Sequence, residues 1–277
     1  MVSLVVPGSS EQMLAKARDL RVDELILDLE DAVTPDRKAE ALGLVVVALA
    51  AGSEAARVGV RINSIGSPWA DAELRALAGA AVRPDTVIVP KAEDPRELAQ
   101  TAGALNGIGV QALIETATGL SRVDELAAQP GVEALVLGYA DLAVSLGRTP
   151  GGAADLDLWL PSQDRVLLAA RSAGLRAIDG PFLAIQDADG LRRSATRAAD
   201  LGFDGKWAIH PAHIQTIRDA FCPDESAIAH ARQVLSALRN APHNGAIQVN
   251  GQMVDEPVRL AAWRTLERAG LDPASDP

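Results

Sequence analysis

Eight short β-rich runs set the frame for this 277-residue chain, each followed by loop residues and an Ala/Leu/Arg/Glu-rich stretch of helical period. They are Ser3–Val6, Glu24–Glu30, Arg57–Asn63, Thr86–Lys91, Val110–Glu115, Ala134–Gly138, Arg176–Gly180 and Lys206–His210. Regular alternation of strand and helix implies repeated βα units and a parallel sheet, and eight is the closure number of the most common barrel. Leu25–Leu29, Val87–Val89 and Leu135–Leu137 are nearly continuous in Val, Ile and Leu, as expected of strands covered on both faces. The fold class expected is therefore α/β, a (β/α)8 TIM barrel over residues 1–239, with a short C-terminal helical extension over residues 240–277. Pro223–Leu238 reads as the last helix of the barrel domain. The break Asn240–Gly245, with its Pro, Asn and Gly turn chemistry, marks the boundary. Pro257–Ala269 reads as an amphipathic helix, and Asp272–Pro277 as a frayed tail.

A formal charge of −11 argues against a general binder of nucleic acid or anionic membrane, because the long-range field repels polyanions. Cys222 is the single cysteine, so an intramolecular disulfide and a cysteine-cluster metal site are both excluded. Any metal must take oxygen or histidine ligands. Met1–Pro7 is too short for a signal h-region with flanks, and no later stretch is apolar over a membrane span. A soluble cytoplasmic protein is expected.

Polar residues stand out at the ends of the apolar runs. Glu115 closes strand 5 (Ala112-Leu-Ile-Glu115), and Asp141 closes the strand 6 segment Ala134–Asp141. Ends of adjacent parallel strands lie about 5 Å apart, which brings two carboxylates into range of one hard cation. Mg²⁺ suits such a pair, with Mn²⁺ as the alternative, and water and substrate oxygens would complete the octahedron. The other reading of these acids is Asp141 as a helix N-cap and Glu115 as an arginine partner. On strand 2, Asp28-Leu-Glu-Asp31 follows an apolar run. Asp28, Glu30 and Asp31 are read as acids that hold metal-bound water, and Lys38 on the next helix as a counter-charge. N-capping by Asp31 or Thr34, with ordinary surface acids, is the other reading of this segment, and it applies equally to Asp28. Arg61 delivers a cation suited to gripping a carboxylate and stabilising a developing enolate. Lys91 is read as a partner of Glu93 or Glu115, and His210 as hydrogen-bonded structure rather than a catalyst.

These residues together resemble a known family, the citrate lyase beta-subunit-like and malyl-CoA lyase group of the HpcH/HpaI aldolases, within the Mg²⁺-dependent pyruvate/phosphoenolpyruvate barrels. The carriers are Val6-Pro-Gly8, Asp28-Leu-Glu-Asp-Ala-Val33 with Lys38, Arg61-Ile-Asn63, Pro90-Lys-Ala-Glu93, Ile114-Glu-Thr-Ala117, Gly138-Tyr-Ala-Asp-Leu142, Gly205-Lys206 with Ile209-His-Pro211, and Gly251-Gln-Met-Val-Asp255. The resemblance implies Glu115 and Asp141 as metal ligands, Glu115 and Arg61 at the substrate, and Glu30 and Asp31 as outer acids. It also implies that Asp255 is a general acid/base supplied by a neighbouring subunit, hence a homotrimer or a multiple of it. On its own residues Asp255 looks like a helix start before Pro257.

The activity implied is a carbon–carbon lyase or synthase that joins a 2-oxo acid to an acyl-CoA enolate, with malyl-, citramalyl- or citryl-CoA as the class of substrate. Thioester hydrolysis would be an added step. Two alternatives are a CoA-independent class II-type aldolase of 2-oxo acids, and a non-catalytic subunit that binds a metabolite or acyl carrier.

Overall fold

The computed structural model describes residues 1–148, 156–240, 246–249 and 251–274. They fall into two compact units, Met1–Ile217 and Arg218–Pro277.

In the first unit, eight parallel strands close into a barrel in sequence order: β1 Val2–Pro7, β2 Glu24–Asp28, β3 Val58–Arg61, β4 Thr86–Val89, β5 Gly109–Ile114, β6 Val132–Leu137, β7 Arg176–Asp179 and β8 Gly205–Ala208. Every expected run is a strand. The structure ends most of them earlier than the sequence reading did, because the polar residues at the run ends leave the ladder to face the barrel mouth. Ile26, Ile88, Leu113, Ala134, Val136, Ile178 and Trp207 fill the interior. The register places Asp28 of β2 opposite Arg61 of β3, and Ile114 of β5 opposite Leu137 of β6. That register decides which side chains meet above the core.

Helices cover the outside, and several begin at side-chain caps that the sequence supplies. Ser10 accepts from the Met13 N–H at the start of α1 (Glu11–Arg18), and α2 (Lys38–Ala51) follows β2. Helix α3 (Ala70–Ala78) follows β3, and Asp94 accepts from the Arg96 N–H to open α4 (Pro95–Ala104). Thr116 caps α5 (Ala117–Ser121), which continues into α6 (Val123–Ala127); α7 (Tyr139–Ser145) and α8 (Leu160–Ser172) follow β6. Asp187 caps α9 (Ala188–Leu201) after β7, and α10 (His213–Phe221) comes after β8. At Gly8 a side chain is barred, since an added Cβ would lie 2.7 Å from the Asp28 carbonyl oxygen. Close approach of the two loops at that end of β1 and β2 thus requires glycine.

In the second unit, α11 (Glu225–Arg239) and α12 (Glu256–Arg268) flank an antiparallel hairpin of β9 (Ile247–Val249) and β10 (Gln252–Val254). Ala231, Val234 and Leu235 of α11 bury against Val249, Val254, Ala262 and Leu266. This corrects the expected boundary: the helix assigned to the barrel domain belongs to the C-terminal unit, because its apolar stripe finds its core there. The break expected at Asn240–Gly245 lies, from residue 241 on, outside the described residues, as do residues 275–277 of the tail. Among the described residues, no helix is long and apolar enough to cross a membrane.

The opposite end of the barrel carries a buried acid. Glu24 is fully inaccessible and accepts from Ser3 Oγ at 2.9 Å and Gln111 Nε2 at 2.7 Å, with Arg57 Nε at 3.7 Å. Burial pushes its pKa up, against the hydrogen bond from Ser3 and the field of Arg176. A carboxyl whose folded pKa is raised binds more protons folded than unfolded, so its contribution to stability declines as pH rises above the ordinary glutamate range. Urea denaturation is expected to show this decline flattened in Glu24→Gln. Glu24→Ala, which strands Ser3 and Gln111, is expected to lose about 2–4 kcal/mol.

Candidate metal centre

At the C-terminal ends of β2 to β6, five carboxylates gather around two cations. Asp28, fully buried, takes Arg61 Nε and Nη2 at 2.6 Å each, the bidentate pair that their register position makes available. Asp28 also accepts the N–H groups of Glu30 at 2.9 Å and Ala32 at 3.3 Å, so it shapes the loop as well as fixing the arginine. Arg61 Nη1 lies 3.0 Å from Glu30 Oε2 and 3.8 Å from Asp31 Oδ2. Beneath it the Trp207 ring centroid sits 5.8 Å from the guanidinium carbon, on the floor of the site. Burial alone would lower the Arg61 pKa. The field of Asp28 and its hydrogen bonds, followed by Glu30 and Asp31, more than reverse this, and the net direction is upward.

Lys91 is the second cation. Its ammonium donates to Glu30 Oε1 at 2.6 Å and stands 3.7 Å from Glu115 Oε1 and 3.6 Å from Asp141 Oδ1. The sequence reading paired it with Glu93 or Glu115; the structure brings it to Glu30 foremost, with Glu115 and Asp141 close by. Glu115 is 3% exposed and follows β5 directly. Burial, then the Glu30 charge, push its pKa up to about 8, with Lys91 pulling it down and Asp141 pushing it up. Glu30 is raised as well, by burial first, with Arg61 opposing. Asp141 is on the first turn of α7, since β6 stops at Leu137. It makes no capping hydrogen bond there, so the capping alternative is set aside.

Lys38 is a counter-charge that also braces the loops: its field is shared with Glu73, Asp28, Glu30 and Asp31, and its ammonium hydrogen-bonds the carbonyls of Leu29 and Glu30, both at 2.8 Å, and Asn63 Oδ1 at 2.6 Å. Asn63 in turn donates to Glu73 from its backbone at 2.8 Å and from its side chain at 2.5 Å. This chain ties the loop after β2 to the loop after β3 from behind. Burial lowers the Lys38 pKa, with Glu73 and Asp28 opposing. His210 accepts the Ala212 N–H through Nδ1 at 3.1 Å, the structural role expected. Asp255 is the N-cap of α12 and accepts from the Val258 N–H at 3.4 Å, as its position before Pro257 suggests.

Asp28 is the residue the sequence reading undervalued. The signal was present in its register with Arg61, which only strand pairing reveals.

The donor set fits a divalent cation. Glu115 and Asp141 converge on one positive centre, the Lys91 ammonium. Glu30 Oε2 is buried without a hydrogen-bond partner despite its closeness to Arg61, an acceptor suited to a metal-bound water. Among the described residues no group of three or more His, Cys, Asp or Glu is arranged to hold a metal; a cation on the two carboxylates alone would take its other ligands from water and substrate. Beside Lys91 opens a cavity of about 270 Å³ lined by Ser64, Glu93, Asp94, Glu97 and Thr116 among others. An apolar cavity of about 200 Å³ between α1 and α2 contains none of these acids.

A closed parallel barrel with a two-carboxylate centre at its C-terminal mouth defines a class of metal-assisted barrel enzyme, and comparison with known proteins places the chain within it. Residues 2–211 match the HpcH/HpaI aldolase/citrate lyase family, and the chain belongs to that family. A (3S)-malyl-CoA thioesterase of Cereibacter sphaeroides is 35% identical over 96% of this chain and 93% of its own length. An L-malyl-CoA/beta-methylmalyl-CoA lyase of the same species is 32% identical over 90% of this chain and 88% of its own. The crystal structure of protein CitE from Mycobacterium tuberculosis, in complex with magnesium, acetoacetate and coenzyme A, superposes with a TM-score of 0.84 at 36% identity, covering 97% of each chain.

Gly138 guards the geometry of Glu115. A Cβ at Gly138 would lie 2.6 Å from Glu115 Cβ and 2.7 Å from Glu115 Oε2. Gly138→Ala is expected to shift the carboxylate by a fraction of an ångström or more and to weaken Mn²⁺ binding and turnover by about 100-fold. Isothermal titration and steady-state kinetics check this, with circular dichroism confirming that the barrel is retained.

Proposed function

We propose that this chain is a Mg²⁺-dependent carbon–carbon lyase or synthase acting on a CoA thioester of a hydroxy acid, of the malyl-, citramalyl- or citryl-CoA type. The observation that carries the reading is the convergence of Glu115 and Asp141 on one cation position, with Arg61 beside it. Family membership supports it, as do relatives named for malyl-CoA chemistry and a structural neighbour holding magnesium and coenzyme A.

A divalent cation held by Glu115 and Asp141 would supply Lewis-acid stabilisation of negative charge on a carbonyl oxygen. The chain's own residues do the rest. Asp28 locks Arg61 by Nε and one Nη2 hydrogen, which leaves N–H groups on both terminal nitrogens to bind a substrate carboxylate or carbonyl oxygen. Glu30 and Asp31 accept hydrogen bonds from water around the cation. Cleavage requires the hydroxyl of the substrate to lose a proton and the departing acyl-CoA carbon to gain one. Asp255 of a neighbouring copy is assigned this acid/base role, and the active assembly is a homotrimer or a multiple of it.

A second reading has its own support, the identity with a thioesterase, and adds water attack on the thioester. Products separate the two. With malyl-CoA, cleavage yields glyoxylate and acetyl-CoA, whereas hydrolysis yields malate and free CoA. Turnover of free 2-oxo hydroxy acids alone would favour the CoA-independent aldolase, and binding without turnover the non-catalytic subunit.

Glu115→Ala is expected to lose Mn²⁺ binding and at least about 10³-fold in kcat/KM together, and chelation of the wild-type protein to do the same until Mg²⁺ is restored. Unchanged turnover in Glu115→Ala would sink the proposal. For the subunit assignment, Glu115→Ala and Asp255→Asn are each expected to be inactive alone and to recover activity when dissociated and reassembled together. An active monomer, or no recovery from mixed oligomers, overturns the role of Asp255 in trans.

A further inference from the structure

Lys91 has a φ of 49°, one of two positive values at non-glycine residues among those described. A residue with a Cβ is held in that region only where its surroundings over-determine it. Here contacts at both ends of the residue do so. The backbone N–H donates to Glu115 Oε1 at 3.0 Å, and the ammonium donates to Glu30 Oε1 at 2.6 Å. The left-handed turn after β4 and Pro90 lets one residue reach Glu115 from the main chain and return over the acids with its side chain.

The position of the ammonium is the second observation. It stands 3.7 Å from Glu115 and 3.6 Å from Asp141, between the two carboxylates assigned to the metal. Its side chain is 32% exposed, against 3% for Glu115 and 7% for Glu30, so it enters from the solvent edge on a flexible stem. Lysine, unlike arginine, presents a compact charge that withdraws without breaking a planar fork of hydrogen bonds.

We propose that Lys91 is the resident cation of this site. In the metal-free protein its ammonium shares the field of Glu115 and Asp141 and keeps these acids assembled. When a divalent cation takes those two carboxylates, the ammonium keeps its hydrogen bond to Glu30 Oε1 and moves away from Glu115 and Asp141. This deepens the reading of Glu115 and Asp141 as the metal-holding pair and rests on it. Lys91 is thus a positioning residue that opposes metal binding while holding Glu30, Glu115 and Asp141 together, because its positive charge repels a divalent cation taken by the same carboxylates.

The test uses the full chain, stripped of metal by chelation and without substrate, and measures Mn²⁺ binding by wild type and variants at the same neutral pH. Lys91→Met, which keeps the stem and removes the charge, is expected to bind Mn²⁺ about 10-fold more tightly. Its metal-free Tm is expected to fall, and saturating Mn²⁺ to recover most of the loss. Lys91→Arg, which keeps the charge, is expected to stay within about threefold of wild type in affinity. If Lys91→Met does not fold, Lys91→Gln, which retains a donor for Glu30, carries the same comparison. Equal or weaker Mn²⁺ binding in the uncharged variants overturns the role of Lys91 alone. Absence of Mn²⁺ binding in the wild type overturns the metal reading and this inference with it.

Discussion

Carboxylates crowded at the mouth of an apolar barrel repel one another, and the bidentate Asp28–Arg61 pair is what makes their assembly tolerable. It sits on adjacent strands at matched register, with side chains 1% and 11% exposed. Losing either partner would leave a buried charge uncompensated, a larger penalty than the pair's net worth. From this pair the rest follows outward. Asp28 turns the backbone of Glu30 and Ala32, Glu30 thereby faces Arg61 and Lys91, and Lys91 brings Glu115 and Asp141 within reach of one positive centre.

The same electrostatics connect stability to function. Burial first, and then the neighbouring Glu30 charge, raises the Glu115 pKa to about 8, in a site where five acids meet two contacting cations. A site in that condition gains by taking up a hard cation, and the similar CitE structure holds magnesium. The scaffold behind it, Lys38 on the loop carbonyls and Glu73 on Asn63, holds the loops by hydrogen bonds to neutral groups and backbone. It therefore adds rigidity, while the Lys38 charge also acts on Asp28, Glu30 and Asp31.

Much of this was legible in the residues. Glu115, Asp141, Arg61, Glu30 and Asp31 could be placed at one end of the barrel because parallel strands with a period of two bring the ends of successive runs together. What failed to show were contacts that depend on register and on side-chain reach. Asp28 looked like one more loop acid until it stood opposite Arg61. Lys38 reads as a counter-charge, and the hydrogen bonds of its ammonium to the loop carbonyls show only in the structure. Lys91 could be paired with any nearby glutamate, and only its left-handed backbone directs it to Glu30. The helix Glu225–Arg239 has a clear amphipathic period, but a period does not say which core it faces; the hairpin Ile247–Val254, unforeseen in a polar segment, supplies part of that core.

The sequence by itself determined the barrel, the acidic character and the carboxylates at the strand ends, since these follow from hydropathy period, composition and the order of strand ends. Only the tertiary structure decided the pairing of Arg61 with Asp28, the reach of Lys91 across Glu115 and Asp141, and the allegiance of α11 to the C-terminal unit. The physical reason is common to all three: each is a choice among chemically equivalent partners, and the choice is made by strand register, backbone handedness and packing rather than by residue type.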